Sequence, residues 1–273
     1  MSGDRRKVVV HIGTEKCGST AFQTALTRKR HDLAKQGWYV LQDSLGNKSQ
    51  SWDLAVACLR PSLDAPFRYL RPSTMVPSMK EQAIESVQVQ SSLTDKSIIA
   101  SMENLSMMRS VAEVDALSDL FPDRQLEVVI VTRDKMDYLR RYRQTLHSLG
   151  IPTTTSGPKD SATYVASDSW LLNWEVLIDL LVQHPKVAEV HHLEYETGDG
   201  YPKDVIPRIA AVAGMPQDLT NDLESWKKEP ALLEPANLEP QFDARCVEWR
   251  RVATVCQSSR LHRLAARLQD VFA

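Results

Sequence analysis

The chain predicts an α/β fold: three layers, αβα, around a central and mainly parallel sheet. Three observations lead there. Strand-like runs recur at residues 8–12, 97–101, 126–132 and 187–193, the first of them apolar and β-branched, with helical patterns between them. Several runs are apolar throughout instead of alternating, as strands covered on both faces are. The length, 273 residues with 42% apolar content, suits one such domain with a sizeable core. Residues 1–273 are therefore read as a single domain, with 215–273 as a helical or irregular C-terminal extension.

Element by element, Val8, Val9, Val10, His11 and Ile12 form the first strand, which stops at Gly13. A helix over 20–36 follows, with Phe22, Leu26 and Leu33 spaced for one face, and Gly37 ends it. Trp38-Tyr39-Val40-Leu41 is a short strand. Residues 42–77 are irregular, punctuated by Pro61, Pro66, Pro72 and Pro77, with a helix around Trp52–Leu59 inside them. Helices are expected over 78–93, 110–120 and 134–149, the last strongly basic, with strands at 97–101 and 126–132. Residues 150–167 read as a long polar loop. The pattern of Trp170, Leu171, Trp174, Leu177 and Leu181 predicts one amphipathic helix over 168–183. A strand at 187–193 and a helix at 202–214 come next. Residues 215–242 are poorly patterned, and a terminal helix covers 243–271. There is no internal repeat.

Composition narrows the function classes. The formal net charge of −2 gives no bulk attraction to nucleic acid or to a membrane surface. No apolar stretch approaches 18 residues, so no membrane span is expected. The polar segment Met1–Lys7 runs straight into a strand and leaves no room for a signal peptide. The four cysteines, Cys17, Cys58, Cys246 and Cys256, show no C-x-x-C or Cys/His spacing. They read as reduced thiols of a cytoplasmic protein, not as a disulfide framework or zinc site. His191-His192 with Glu194 and Glu196 is the one hint of a metal, but strand alternation sends the two histidines to opposite faces. No metal site is expected.

Function is most legible in residues 7–26. Strand, glycine-bounded turn and helix N-terminus build a phosphate cradle in which loop N–H groups and the helix dipole favour an anion. Gly13, Gly18 and Thr20 match the spacing of the nucleoside triphosphatase loop G-x-x-x-x-G-K-[ST]. Ser19, however, stands where its lysine belongs, and a lysine appears three residues earlier, at Lys16. No downstream strand ends in a magnesium-binding aspartate, so ordinary ATP or GTP hydrolysis is disfavoured. A plain glycine-rich turn is the structural alternative. Cys17 reads as a small loop-filling residue in preference to a nucleophile.

Parallel strands bring their C-terminal ends to one edge, where such sheets bind ligands. Two further polar strand ends fall there: Ser101-Met102-Glu103-Asn104 and Thr132-Arg133-Asp134. Arg133 suits a second phosphate, since a guanidinium offers bidentate contacts; a surface ion pair is the other reading. Arg140, Arg141 and Arg143 are either ligands or a solvated basic face. Glu103 is a candidate general base or an ordinary helix-cap residue. Glu15 and His11 are weaker candidates for the base, His11 being read as a core histidine.

The segment Thr14-Glu15-Lys16-Cys17-Gly18-Ser19-Thr20 resembles the 5′-phosphosulfate loop of sulfotransferases that use 3′-phosphoadenosine 5′-phosphosulfate (PAPS), with Cys17 in place of the usual small hydroxyl residue. The family's second signature is a strand-end Arg followed eight residues on by Ser. Here Arg133 matches and Arg141 takes the serine's place. The resemblance spans residues 7–215 and implies sulfuryl transfer from PAPS to a hydroxyl or amine of a carbohydrate or small-molecule acceptor. In that reading Glu15, Lys16, Cys17, Gly18, Ser19 and Thr20 hold the 5′-phosphate, and Lys16 stabilises the leaving oxygen. Arg133 and Arg141 meet the 3′-phosphate, Glu103 takes the acceptor proton, and no metal is needed. Trp226-Lys227-Lys228 would close over the adenosine. Acceptor recognition falls to 42–77 and 150–167, and the basic and C-terminal helices would allow a homodimer. Two rivals stay open: a nucleotide kinase on a related fold, and a non-catalytic binding protein that keeps the fold.

Overall fold

The computed structural model describes residues 6–44, 50–72, 76–195 and 205–215. The expected terminal helix, the 215–242 segment beyond Met215, Trp226-Lys227-Lys228 and the proposed C-terminal extension lie outside them. Five strands form one sheet: β1 (Lys7–His11), β2 (Trp38–Val40), β3 (Ser97–Ser101), β4 (Gln125–Thr132) and β5 (Val187–Glu194), in the order β2-β3-β1-β4-β5. Every pairing is parallel. β1 sits in the centre, with Val8 opposite both Ile98 and Leu126, and His11 opposite Ser101 and Val129. Chain order reverses across β1, which makes its C-terminal end the natural crevice of the sheet.

The two faces follow strand alternation. Val8, Val10, Ile98, Ala100, Leu126, Val128 and Ile130 point into the larger core. Among the described residues six helices contribute to that core: α2 (Trp52–Cys58), α3 (Pro66–Leu70), α4 (Pro77–Ser92), α5 (Val111–Asp119), α6 (Lys135–Ser148) and α7 (Trp174–Val182). Val9, Ile99, Val129, Val131 and Leu193 point the other way, against Phe22, Leu26 and Leu33 of α1 (Ser19–Lys35) and Val205, Ile209 and Ala210 of α8 (Val205–Val212). The three-layer αβα arrangement is the one the sequence predicts. No helix among the described residues is long and apolar enough to cross a membrane.

Local chemistry sets the helix ends. α5 opens with a capping box: the Glu113 N–H donates to Ser110 Oγ, and the Ser110 N–H donates to Glu113 Oε2. Asp134 caps α6, its Oδ1 accepting from the N–H groups of Met136 (3.1 Å) and Asp137 (2.8 Å). α4 and the short α3 (Pro66–Leu70) both begin on a proline, which gives up an N–H that no helix start can satisfy internally. Inside the irregular stretch, α2 matches its expectation. α3 does not appear in the sequence reading, because Pro66 there signals interruption and not a helix start.

One expectation is corrected. The single helix over 168–183 is broken in two: a 3₁₀ turn at Trp170–Leu172, then α7 from Trp174. Asn173, at φ −89° and ψ 64°, lies outside the helical well. The Trp170 side chain is tied elsewhere: its Nε1–H donates to the Ser161 carbonyl (2.8 Å), and the guanidiniums of Arg60 and Arg109 lie 5.4 and 4.7 Å from its ring centroid.

Residues 150–167 carry no helix, as expected, but they are packed in place. Ala162, Thr163, Tyr164 and Val165 are buried, and Thr154 bridges to Tyr164. Asp64 accepts from Ser161 Oγ (2.5 Å) and the Ala162 N–H (2.6 Å), and the Tyr142 hydroxyl donates to the Ala162 carbonyl (2.9 Å). Tyr142→Phe is expected to lower stability by about 1 kcal/mol, the net worth of one buried hydrogen bond. It should also raise the proteolytic sensitivity of 150–167. Thermal melts with limited proteolysis check both, and unchanged melting would remove Tyr142 as the anchor.

Candidate functional site

The first turn after β1 is held from β4. The Thr14 N–H donates to the Val131 carbonyl (2.8 Å), as does Thr14 Oγ1 (3.1 Å). Since that hydroxyl proton is committed, the Cys17 thiol donates to Thr14 Oγ1 (2.9 Å). Gly18 has φ 83°, and a Cβ there would stand 2.8 Å from Val205 Cγ1, so glycine is required on both counts. Gly13 leaves no room either: a Cβ would come within 2.6 Å of His11 Nε2. Lys16 is the sole non-glycine residue at positive φ, 67°, among the described residues.

α1 begins directly after this turn without a side-chain cap. The N–H groups of Ser19, Thr20 and Ala21 make no hydrogen bond to described residues. Ser19, 3% exposed, has a buried Oγ with no partner. Uncapped first-turn donors, a buried hydroxyl and the helix dipole form an anion cradle.

The structure brings the predicted carboxylates to the cradle. Glu103 opens a 3₁₀ turn (Glu103–Met107) just past β3 and is partly buried. It accepts from Gln23 Nε2 (2.5 Å) and Gln50 Nε2 (3.2 Å). Burial pushes its carboxyl upward, against the pull of its own N–H, the Gln23 amide, Lys16 and the Gln50 amide. Glu15 is 9% exposed, and its Oε1 accepts from Asn104 Nδ2 (2.9 Å). Burial drives it up to about 8; Glu103's charge adds to this, and Lys16 and the Asn104 bond oppose it. Lys16 itself is exposed, and its charge acts on both carboxyl groups.

Gln23 is the residue the sequence reading missed. Its amide also donates to Ser101 Oγ (3.2 Å), which lies 2.8 Å from His11 Nδ1. No sequence signal marked it, because a glutamine one turn into an amphipathic helix looks like a surface residue. His11 is fully buried, edge-on to Phe22 at 5.2 Å, and burial lowers its pKa to about 3. It is a neutral core histidine. Cys17 is buried too, and burial raises its thiol to about 11, which leaves no thiolate at neutral pH.

Arg133 is 6% exposed, and its guanidinium is already engaged. Nη1 donates to the Lys16 carbonyl, Nη2 pairs with Asp137, the plane lies 4.8 Å from the Tyr195 ring centroid, and Nε is buried without a partner. Asp137 also pairs with Arg140 and with Arg141 Nε (3.2 Å). Burial pushes the Asp137 carboxyl up, but Arg140, Arg133 and Arg141 more than offset this and hold it below its ordinary value. Arg133 and Arg141 therefore meet beside the loop, gathered by one carboxylate. Arg143 turns away to the Val165 carbonyl (2.6 Å).

On β5, His192 Nε2 lies 2.8 Å from Thr132 Oγ1. His191 clusters with Glu189 and, from β4, Glu127, their ligand atoms within 4.8 Å of one another. Glu127 is the third group that sequence spacing did not show. Lys7 Nζ already holds it at 2.9 Å.

No protein-family model matches the sequence, and no curated protein matches it. Among solved structures the chain is similar to a sulfotransferase from Alicyclobacillus acidocaldarius, at 12% identity and TM-score 0.47 over 81% of this chain and 91% of that one. It is also similar to the sulfotransferase domain from the curacin biosynthetic pathway, at 13% identity and TM-score 0.41 over 77% and 75%. The tunicamycin resistance protein of Deinococcus radiodurans gives 14% identity and TM-score 0.40 over 78% and 98%. All three scores lie below 0.5, and the fold assignment stands on the parallel sheet itself.

A carboxyl group whose folded-state pKa lies above its unfolded value binds its proton more tightly when folded. Stability is then greatest below about 4.5 and is lost as pH rises toward about 8, the folded value for Glu15. Glu15→Gln should melt close to wild type at pH 4.5 and above it at pH 8. A constant offset across that range would show that Glu15 ionises normally.

Proposed function

We propose that this chain transfers a sulfuryl group from PAPS to a hydroxyl or amine of a carbohydrate or small-molecule acceptor. One observation carries the reading: Lys16 and the uncapped first turn of α1 meet a partly buried carboxylate, Glu103, at the same strand edge. The donor's 5′-phosphate would rest on the turn from Glu15 to Thr20, with Cys17 as packing and Ser19 Oγ as a further donor. Glu103 would take the acceptor proton as the acceptor oxygen or nitrogen attacks sulfur. The bond between sulfur and the 5′-phosphate oxygen breaks, and the bisphosphate leaves with its new charge facing Lys16 and the first-turn N–H groups. Gln23 and Gln50 would hold Glu103 in place.

The 3′-phosphate falls to the arginines around Asp137. Arg141 spends only its Nε on Asp137, which leaves its terminal nitrogens without a partner among the described residues. Arg133 would contribute charge from behind while fixing the loop. That commitment of Arg133 is also the observation favouring a second reading, a binding protein that keeps the fold and has lost the 3′-phosphate site. For a nucleotide kinase the structure adds no support to the spacing of Gly13, Gly18 and Thr20.

Calorimetric titration separates these. Micromolar binding of adenosine 3′,5′-bisphosphate supports the transferase, preference for ATP with magnesium supports a kinase, and silence toward both supports the binding protein. In a sulfation assay with radiolabelled donor, Lys16→Ala is expected to lower turnover by about two orders of magnitude or more. Glu103→Gln should keep bisphosphate affinity and lose transfer. Full transfer by either variant removes that residue from its role.

A further inference from the structure

An acid inside an anion-binding turn is an anomaly, and Glu15 is such an acid. Its neighbours fix where it stands: Thr14 is bonded to the Val131 carbonyl, and the Lys16 carbonyl is held by Arg133. The side chain is 9% exposed, Oε1 takes the Asn104 amide, and Oε2 has no hydrogen-bond partner among the described residues. We propose that Glu15 serves the site as a neutral carboxylic acid that donates a hydrogen bond from Oε2 to the phosphate oxygens seated on the turn. The anionic nucleotide is then held by a carboxyl O–H as well as by Lys16 and backbone N–H groups. The inference rests on the nucleotide reading above and extends it to a proton that must be present for binding.

The division of charge between the two carboxyl groups follows from their donors. Glu103 accepts from two amides, Gln23 and Gln50, and Glu15 from one. Hydrogen bonds to a carboxylate favour its ionised form, and two carboxylates close together resist ionising together. The charge belongs on Glu103 and the proton on Glu15, in keeping with Glu15's rise to about 8. Lys16 on the turn, Glu103 beyond β3, and the buried hydroxyls of Tyr138 and Tyr142 on α6 are the charged and titratable groups that act on Glu15. Burial pushes both tyrosines far above their ordinary range, so they stay neutral where Glu15 titrates.

The test is calorimetric titration with adenosine 3′,5′-bisphosphate at pH 7 and pH 9 on wild type, Glu15→Gln and Glu15→Leu, with circular-dichroism melts at both pH values. Loss of one required proton at about pH 8 should weaken wild-type binding about tenfold between pH 7 and pH 9. Glu15→Gln keeps an N–H donor and has no charge to gain. It should bind at pH 7 within about threefold of wild type and change less than about twofold by pH 9. Glu15→Leu should bind about tenfold more weakly at pH 7. Parallel losses in wild type and Glu15→Gln would overturn the inference while leaving the nucleotide reading intact, as would Glu15→Leu binding like wild type at pH 7. If Glu15→Leu does not fold, the comparison of wild type with Glu15→Gln decides alone. Wild type that fails to bind at any pH would sink the nucleotide reading and this inference with it.

Discussion

Lys16 holds φ at 67°, a left-handed conformation that costs a side-chain-bearing residue roughly 1–2 kcal/mol. Something outside its own dihedrals must keep it there, and that is the Arg133 guanidinium on its carbonyl. The same guanidinium reaches Asp137, and through it Arg140 and Arg141 on α6, while its face lies over Tyr195. The turn after β1, the start of α6 and the end of β5 thus share one buried cation. Remove that cation and the carbonyl loses its donor, Asp137 loses its closest counter-charge, and the lysine has no reason to stay where it points.

The Thr14 anchor works from the other side of the turn. Its two bonds to the Val131 carbonyl pin the loop's first residue to β4, and Gly18 lets α1 begin against Val205 and Tyr195 with no intervening side chain. Between these fixed points the chain exposes one ammonium group and turns one carboxyl inward. The arrangement is asymmetric by construction: successive residues, Glu15 and Lys16, meet opposite environments, so their charges are not interchangeable.

The sheet was legible from sequence because parallel, doubly covered strands carry continuous apolar runs, and Val8–Val10, Ile98–Ala100 and Val128–Val131 are such runs. Glycine positions marked the turn, and strand ends marked Glu103 and Arg133. What escaped were contacts between residues distant in sequence. Gln23 reaches Glu103 only because α1 lies back across β3, and Glu127 meets His191 only through the β4–β5 pairing. The break at Asn173 escaped because periodicity continues through it; the interruption comes from Trp170 being claimed by Ser161, Arg60 and Arg109. Arg133 was legible as a residue but not as a neighbour of the Lys16 carbonyl, since a strand-end arginine carries no mark of which oxygen it will find.

Asp64 has a consequence for how this surface can vary. It belongs to the connection between β2 and β3, yet it accepts hydrogen bonds from Ser161 and Ala162 in the connection between β4 and β5. Two excursions from different halves of the sheet are tied together by this carboxylate, as they are by Arg60 over Trp170. A length change in either one would therefore disturb the other. Grafting a single excursion onto a related scaffold would leave this half-buried acid without the donors of Ser161 and Ala162.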